Sequence, residues 1–255
     1  MTREHELTIA DQRAATTRLT WLSMHAPDLA RDVRPGQYML LRCADSPSSL
    51  LRRALYVAST EPAMGQLGFL YASDNDTGLQ WLRRARAGEK LNLIGPLGRP
   101  LPMQTRSHTQ LLLGEGQGLG ALLFAAQQAL RQQGSVTLLA AAAERELLPP
   151  PFLLPDALEY QSAVGSSIEL LHSTNPQQLL RWADGMLASL PFEQLPMLRD
   201  TIRDAKLRWE RGFAHVLIER PLTCASAACG LCAIETRRGL RLLCTQGPAL
   251  DLRDV

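Results

Sequence analysis

Gln110-Leu-Leu-Leu-Gly114-Glu-Gly-Gln-Gly-Leu-Gly120 leads directly into Ala121-Leu-Leu-Phe-Ala-Ala-Gln-Gln-Ala-Leu130. A short apolar run ends in a glycine-rich turn, and a stretch of strong helix formers follows, which is the pattern of a βα unit. Glycines in that setting let the backbone approach a dinucleotide phosphate. By itself such a turn is weak evidence, and Gly114, Gly116 and Gly118 enter as candidate nucleotide-binding residues because of where they stand. Towards the C-terminus the pattern continues with a strand at 136–141, a proline-rich break at 149–155 and a strand at 168–171. A helix at 176–183, a strand at 186–189, a helix at 197–211 and a strand at 215–219 complete it. Strands alternating with helices predict a parallel sheet.

Towards the N-terminus the texture differs. Short strands are predicted at 6–10, 16–24, 37–43, 54–59, 66–71 and 90–94, separated by turn signals, and this spacing suggests a small antiparallel barrel. Residues 77–86 read as one short amphipathic helix covering an end of it, and 100–108 as the linker to the α/β part. Three units are expected, 1–102, 103–219 and 220–255.

With 255 residues, 45% hydrophobic and 20% charged, the composition is that of a chain that folds and buries a core. The formal charge of +2 comes from 27 basic and 25 acidic residues spread along the chain, so nucleic acid is not an expected partner. The apolar run at 136–143 is far shorter than the roughly 20 residues that span a bilayer. The charged start carries no signal-peptide pattern, and a cytoplasmic location is expected.

The five cysteines are unevenly placed. Cys43 falls in a predicted barrel strand and reads as a small buried hydrophobe. The other four, Cys224, Cys229, Cys232 and Cys244, are spaced C-x4-C-x2-C-x11-C, and the first three follow the plant-type ferredoxin loop. Three thiolates on one tight loop with a distant fourth suit a [2Fe–2S] cluster. The small residues Ala225, Ser226, Ala227, Ala228 and Gly230 let backbone amides turn towards sulfur. Structural zinc also accepts four thiolates, usually from two short knuckles, and here there is one.

Taken together, the barrel, the βα unit and the tail resemble the electron-transfer subunit of heterodimeric dihydroorotate dehydrogenases. The likeness rests on Arg52-Arg53-Ala-Leu-Tyr-Val-Ala-Ser59, Gly95-Pro-Leu-Gly98, Gly114–Gly120, Ala183-Asp-Gly185 and the stretch from Met197 through Cys244. It implies a ferredoxin-reductase-like FAD-binding antiparallel barrel, a Rossmann-like parallel-sheet domain and a small C-terminal [2Fe–2S] domain. It also implies a relay of electrons between a nicotinamide nucleotide, FAD and the cluster, serving an FMN-containing catalytic partner in a hetero-oligomer. Electron-transfer subunits of hydrogenases or ferredoxin–NADP transhydrogenases share this layout, and a non-catalytic scaffold is a further alternative. No catalytic residue of this chain is implied.

Residue by residue, the resemblance gives Arg53 and Thr77 contact with FAD phosphate, with Tyr56, Val57 and Gly78 beside them as cofactor-binding candidates. Each role has a physical basis in paired guanidinium bonds and in anion binding at a helix start. This chain departs from the family at Tyr56, where serine is usual, at Ala54 for proline and at Asp76 for glycine. Asp76 places a carboxylate close to the expected diphosphate. Glu115 within the glycine turn, and Ser189-Leu190-Pro191 in place of Cys-Gly-Pro, predict that NAD(H) binds more weakly than in the relatives, or not at all.

Overall fold

The structure is a computed structural model and describes residues 3–43, 51–74, 76–103, 108–206 and 208–255. Strands β1 (Arg3–Ala14), β2 (Leu19–His25), β3 (Tyr38–Leu41), β4 (Arg53–Glu61), β5 (Gln66–Ala72) and β6 (Lys90–Leu97) close into an antiparallel barrel in the order β1-β2-β5-β4-β3-β6. Period-two alternation explains it. In β6, Leu91 and Leu93 face inward while Lys90 and Asn92 face out, and Leu22, Met24, Met39, Leu41, Val57 and Phe69 meet them inside. The short helices α1 (Leu29–Asp32) and α2 (Thr77–Leu82) add Leu29, Leu79 and Leu82 to the same core. Cys43 is fully buried just beyond β3, and burial pushes its thiol up to about 12.

The second sheet contains β7 (Thr109–Gly114), β8 (Ser135–Ala142), β9 (Glu159–Val164), β10 (Gly185–Leu190), β11 (Ala214–Ile218) and β14 (Ala249–Asp251) in the order β14-β11-β10-β7-β8-β9. All its pairings are parallel except β11 with β14. Helix α3 (Leu119–Arg131) joins the two sheets. Its Leu122, Ala126 and Ala129 pack on the parallel sheet, while Phe124 belongs to the barrel core, a burial worth about 1.5–3 kcal/mol. The middle of the predicted linker, 104–107, lies outside the described residues.

Three predicted elements change, and one strand is added. Residues 168–171, read as a strand, lie in helix α4 (Ser167–Ser173). Ser166 and Glu169 form a capping box, and Ile168 and Leu171 bury together one turn apart, which a strand cannot do. The edge strand β9 had not been expected, because its mostly exposed Glu-Tyr-Gln-Ser-Ala-Val carries no apolar alternation. Helix α5 (Pro176–Trp182) agrees with the reading, but α6 covers Leu195–Ala205 and stops at extended Lys206 instead of reaching 211. Likewise α2 ends at Leu82 rather than 86.

The C-terminal stretch forms a hairpin, β12 (Ala233–Thr236) with β13 (Gly239–Leu242), then helix α7 (Leu243–Gln246) before β14. Leu222, Cys232, Ile234, Leu243, Cys244 and Leu252 share one core with α6 and the sheet.

Candidate cofactor cleft and cysteine centre

The chain moves outward from β7 through β8 to β9, then restarts on the other side of β7 at β10. The carboxyl ends of β7 and β10 therefore diverge, leaving a crevice at the switch point. The barrel covers it, and a cleft of about 310 Å³ remains, bounded by Tyr56 and Leu79 from the barrel, Glu115 and Gly120 from the glycine turn, and Leu190 and Glu219. A second hollow of about 530 Å³ adjoins it through the shared residues Tyr56, Leu79 and Glu219 and extends past Arg53 and Asp76 to Thr223, the neighbour of Cys224. One trough thus joins the glycine turn, the barrel arginine and the start of the cysteine tail.

Arg53 sits on β4 with its side chain largely covered, and its Nε donates to both oxygens of Asp76, at 2.9 and 2.8 Å. Asp76 is also the N-cap of α2, accepting from the Leu79 N–H at 2.9 Å. Although partial burial raises its pKa, the bonds from Arg53 and the Leu79 amide outweigh that and hold the carboxyl below its usual range. Gly78 lets the guanidinium lie close, since a Cβ there would stand 3.0 Å from Arg53 Cζ. Among the described residues, Arg53 Nη2 has no partner. Thr77 opens α2 and is exposed.

Tyr56 and Val57 separate as neighbours on a strand must. Tyr56 faces the cleft, whereas Val57 is fully buried among the barrel core residues and lines neither hollow. Tyr56 meets the fully buried Tyr38 edge-on, with centroids 6.0 Å apart, and Tyr38 Oη donates to the Cys244 carbonyl at 3.4 Å. Burial raises both phenols far above their normal values. Tyr38 went unnoticed in the sequence because nothing local links it to Tyr56 or Cys244.

In the glycine turn Gly118 and Gly116 are the most restricted, and Gly114 is closely packed. A Cβ on Gly118 would stand 2.1 Å from Ser189 Oγ, and one on Gly114 2.5 Å from Leu119 Cδ2. Gly116 has a φ of +64° and lies against Glu219, whose Oε1 would be 2.3 Å from a Cβ. The same Oε1 accepts from the Gln117 N–H at 2.8 Å. Glu219, which was not singled out in the sequence, therefore already engages a turn amide. Glu115 points elsewhere: Oε1 accepts from Ser167 N at 2.6 Å and Ser167 Oγ at 2.8 Å at the start of α4, and Oε2 from Gln194 Nε2 at 3.4 Å.

The four cysteines fall into two pairs. Cys224 and Cys229 lie on the outer loop. Cys224 is held down to about 6 by N–H donors from Cys229 first, then Ser226, with a smaller contribution from Ala228. Left-handed Ala225, Ala227 and Gly230, at φ 55°, 63° and 72°, curl the loop so that its amides converge. Cys232 and Cys244 are each 2% exposed, with Cys244 N–H donating to Cys232 Sγ at 3.4 Å. Burial raises Cys244 to about 11, and the Cys232 side chain adds to the shift. Among the described residues no three such donors converge on a single-ion position.

A closed six-stranded barrel joined at a switch-point cleft to a parallel sheet defines a ferredoxin-reductase-like fold. Two solved structures share it: an NADH-dependent reduced ferredoxin–NADP oxidoreductase, described in connection with flavin-based electron bifurcation, and a ferredoxin–NADP+ reductase from Neisseria gonorrhoeae with bound FAD and NADP. The first superposes with a TM-score of 0.75 at 20% identity, covering 98% of this chain and 89% of that one. The second gives 0.63 at 18% identity over 85% of this chain and 98% of that one. No protein-family model matches the chain. In sequence, the chain is similar to the electron transfer subunit of dihydroorotate dehydrogenase B (NAD(+)) from Shouchella clausii (strain KSM-K16). They are 26% identical over 232 residues, 87% of this chain and 86% of the relative. Among the described residues no helix is long and apolar enough to cross a membrane.

Proposed function

We propose that this chain is an electron-transfer subunit that relays electrons between a nicotinamide nucleotide, FAD and a [2Fe–2S] cluster, and that it serves an FMN-containing catalytic partner of the dihydroorotate dehydrogenase type in a hetero-oligomer. The observation that carries the reading is the trough. It runs from the glycine turn past Tyr56 to Thr223, while behind Tyr56 the Tyr38 phenol touches the Cys244 backbone. We assign 1–102 to the FAD-binding part, 103–219 to the nucleotide-binding part and 220–255 to the cluster part. A cytoplasmic location suits four thiols kept reduced as ligands.

The residues present fit the flavin. The cleft is lined mainly by apolar groups and is bounded by an aromatic ring, as a flat heteroaromatic system requires. Arg53 would meet the diphosphate through Nη2, which has no partner among the described residues, with Gly78 leaving room for the guanidinium. FAD, when bound, converts a two-electron donor into one-electron transfers. Tyr56 bounds the cleft on the barrel side, and Leu190 and Pro191 limit the space at the switch point.

The cysteines fit a two-iron cluster. Two pairs of thiols offer two ligands to each of two irons, whereas one zinc ion would draw all four to a single centre. Cys224 and Cys229 would hold the outer iron, Cys232 and Cys244 the buried one. The amides gathered at Cys224 would stabilise negative charge on its sulfur.

A visible spectrum of the anaerobically purified chain, before and after NADH, with iron and acid-labile sulfide assayed on the same sample, tests the reading. Flavin and cluster bands that bleach with NADH are expected. Zinc in place of iron, or no flavin, would overturn it. The similarity to a ferredoxin–NADP oxidoreductase favours a second reading, service to another redox complex, and the partner that co-purifies separates the two.

A further inference from the structure

A concavity of about 510 Å³ lies away from the cleft and shares no lining residue with it. Five guanidiniums line it, Arg199, Arg203, Arg208, Arg237 and Arg253, together with Trp209 and one carboxylate, Glu210. They converge from four stretches: Arg199 and Arg203 from α6, Arg208 from the segment after it, Arg237 from the β12–β13 turn, and Arg253 from beyond β14. A solvated surface spreads like charges apart or pairs them, and here they are gathered.

Among the described residues Glu210 is the one carboxylate in the lining, and one negative charge does not balance five positive ones. Asp254 is bound to Arg211 and Arg238, outside the hollow, and Asp251 accepts from the Gly212 and Arg253 amides. Arg203 meets Asp200 at 3.2 Å, but both side chains are more than 60% exposed, so that pair is weak. Arg208 and Arg237 have no side-chain partner among the described residues. Arg253 donates to the Trp209 carbonyl at 3.2 Å and packs 5.7 Å from its ring centre. Arg199 donates one Nη to the Val255 main-chain oxygen, yet its Nε is buried without any partner. Burial first, then Arg237 and Arg203, make its charge harder to hold.

We propose that this hollow is a binding site for an oligophosphate, a linear run of two or three phosphates, either free or carried by a nucleoside. Planar guanidinium forks arriving from several directions match the oxygens of successive phosphates, and several charges close together call for a ligand bearing several of the opposite sign. The indole does not offer a stacking face for a base, because Phe213 meets it edge-on at 6.4 Å and Arg253 lies over it. The site therefore reads phosphate, and a bound ligand would bridge α6 to the β12–β13 hairpin and stiffen the cysteine tail against the sheet.

Titration calorimetry of the full chain with inorganic tripolyphosphate, ATP and sulfate at physiological salt tests this. Tripolyphosphate is expected to bind at least tenfold more tightly than sulfate. Equal affinity for ATP assigns recognition to the phosphates alone, whereas tenfold tighter ATP identifies a nucleotide as the source. Arg208→Ala with Arg237→Ala, both exposed positions, should lower tripolyphosphate affinity at least tenfold without changing the circular dichroism spectrum. No heat at millimolar tripolyphosphate, sulfate binding equally well, or unchanged affinity in the double variant would each overturn the proposal.

Discussion

The cysteine loop and the glycine turn both gather backbone N–H groups, but they differ in what those groups already hold. In the loop, the amides of Cys229, Ser226 and Ala228 point at Cys224 sulfur, the proposed ligand atom, so they favour the thiolate that an incoming iron would need. In the cleft, the Gln117 amide is engaged by Glu219, and Arg53 by Asp76. A phosphate arriving there has to share donors with a resident carboxylate. On the proposed reading the tail would hold its group by direct bonds and the cleft by shape, with charge partly cancelled beforehand.

The comparison breaks most readily at Cys229. Cys229→Ser removes one of two ligands from the outer pair and should lose most of the iron, read as iron and labile sulfide per chain; full retention would mean that the tail is not the iron site. The cleft can be sharpened from both directions. Arg53→Ala should weaken flavin retention by about tenfold or more, since a charge-assisted hydrogen bond contributes about 1.5–3 kcal/mol. Asp76→Gly should tighten it by a similar factor by freeing Arg53, and fluorescence titration of the apo chain with FAD measures both. If Asp76→Gly loosens flavin instead, the carboxylate assists binding and the contrast fails.

Smaller effects are expected within the tail. Ala227 is left-handed at φ 63°, which costs a residue with a Cβ roughly 1–2 kcal/mol, while glycine gives back about 0.5–1 kcal/mol through its greater unfolded freedom. Ala227→Gly should therefore raise the melting temperature of the tail slightly, as calorimetry can show. Asp254 is held below the usual carboxyl range chiefly by Arg211, at 2.5 Å, and then by Arg238, at 3.1 Å. A carboxylate lowered in the folded state stabilises the fold above its unfolded value, about 3.9, and loses that contribution as pH falls through the folded value. Acidification below about pH 4 should thus lower the hydrogen-exchange protection of residues 233–242, measured relative to the intrinsic exchange rate at each pH, with no such loss of protection on going from pH 7 to pH 5.

Much of this architecture was legible in the sequence where the signal is local. Cysteine spacing, the strand–glycine–helix run and the barrel strands each depend on residues a few positions apart. The edge strand β9 was not legible, because an exposed strand needs no apolar alternation. Residues 168–171 misled because a four-residue apolar run fits either a strand or a helix, and the deciding signal was the Ser166/Glu169 cap. Within the site, the sequence places Asp76 as a charge near the diphosphate, but its grip on Arg53 spans 23 residues, and that of Glu219 on the turn spans 102. Such pairings exist only once the barrel and sheet have come together. Glu115 was read as a charge facing the phosphate, yet it is bound to Ser167 and Gln194, which only the placement of α4 reveals.

Strand β14 returns to pair with β11, Leu217 facing Ala249, so both ends of the cysteine segment are stitched into the same sheet. A carrier tethered at one end must search for its acceptor, and its turnover is limited by the swing of its arm. Anchored at both ends, this segment has no such arm. Its orientation is inherited from the sheet, the distance between cleft and cysteines is fixed at folding, and delivery to another protein becomes a matter of docking rather than of internal travel.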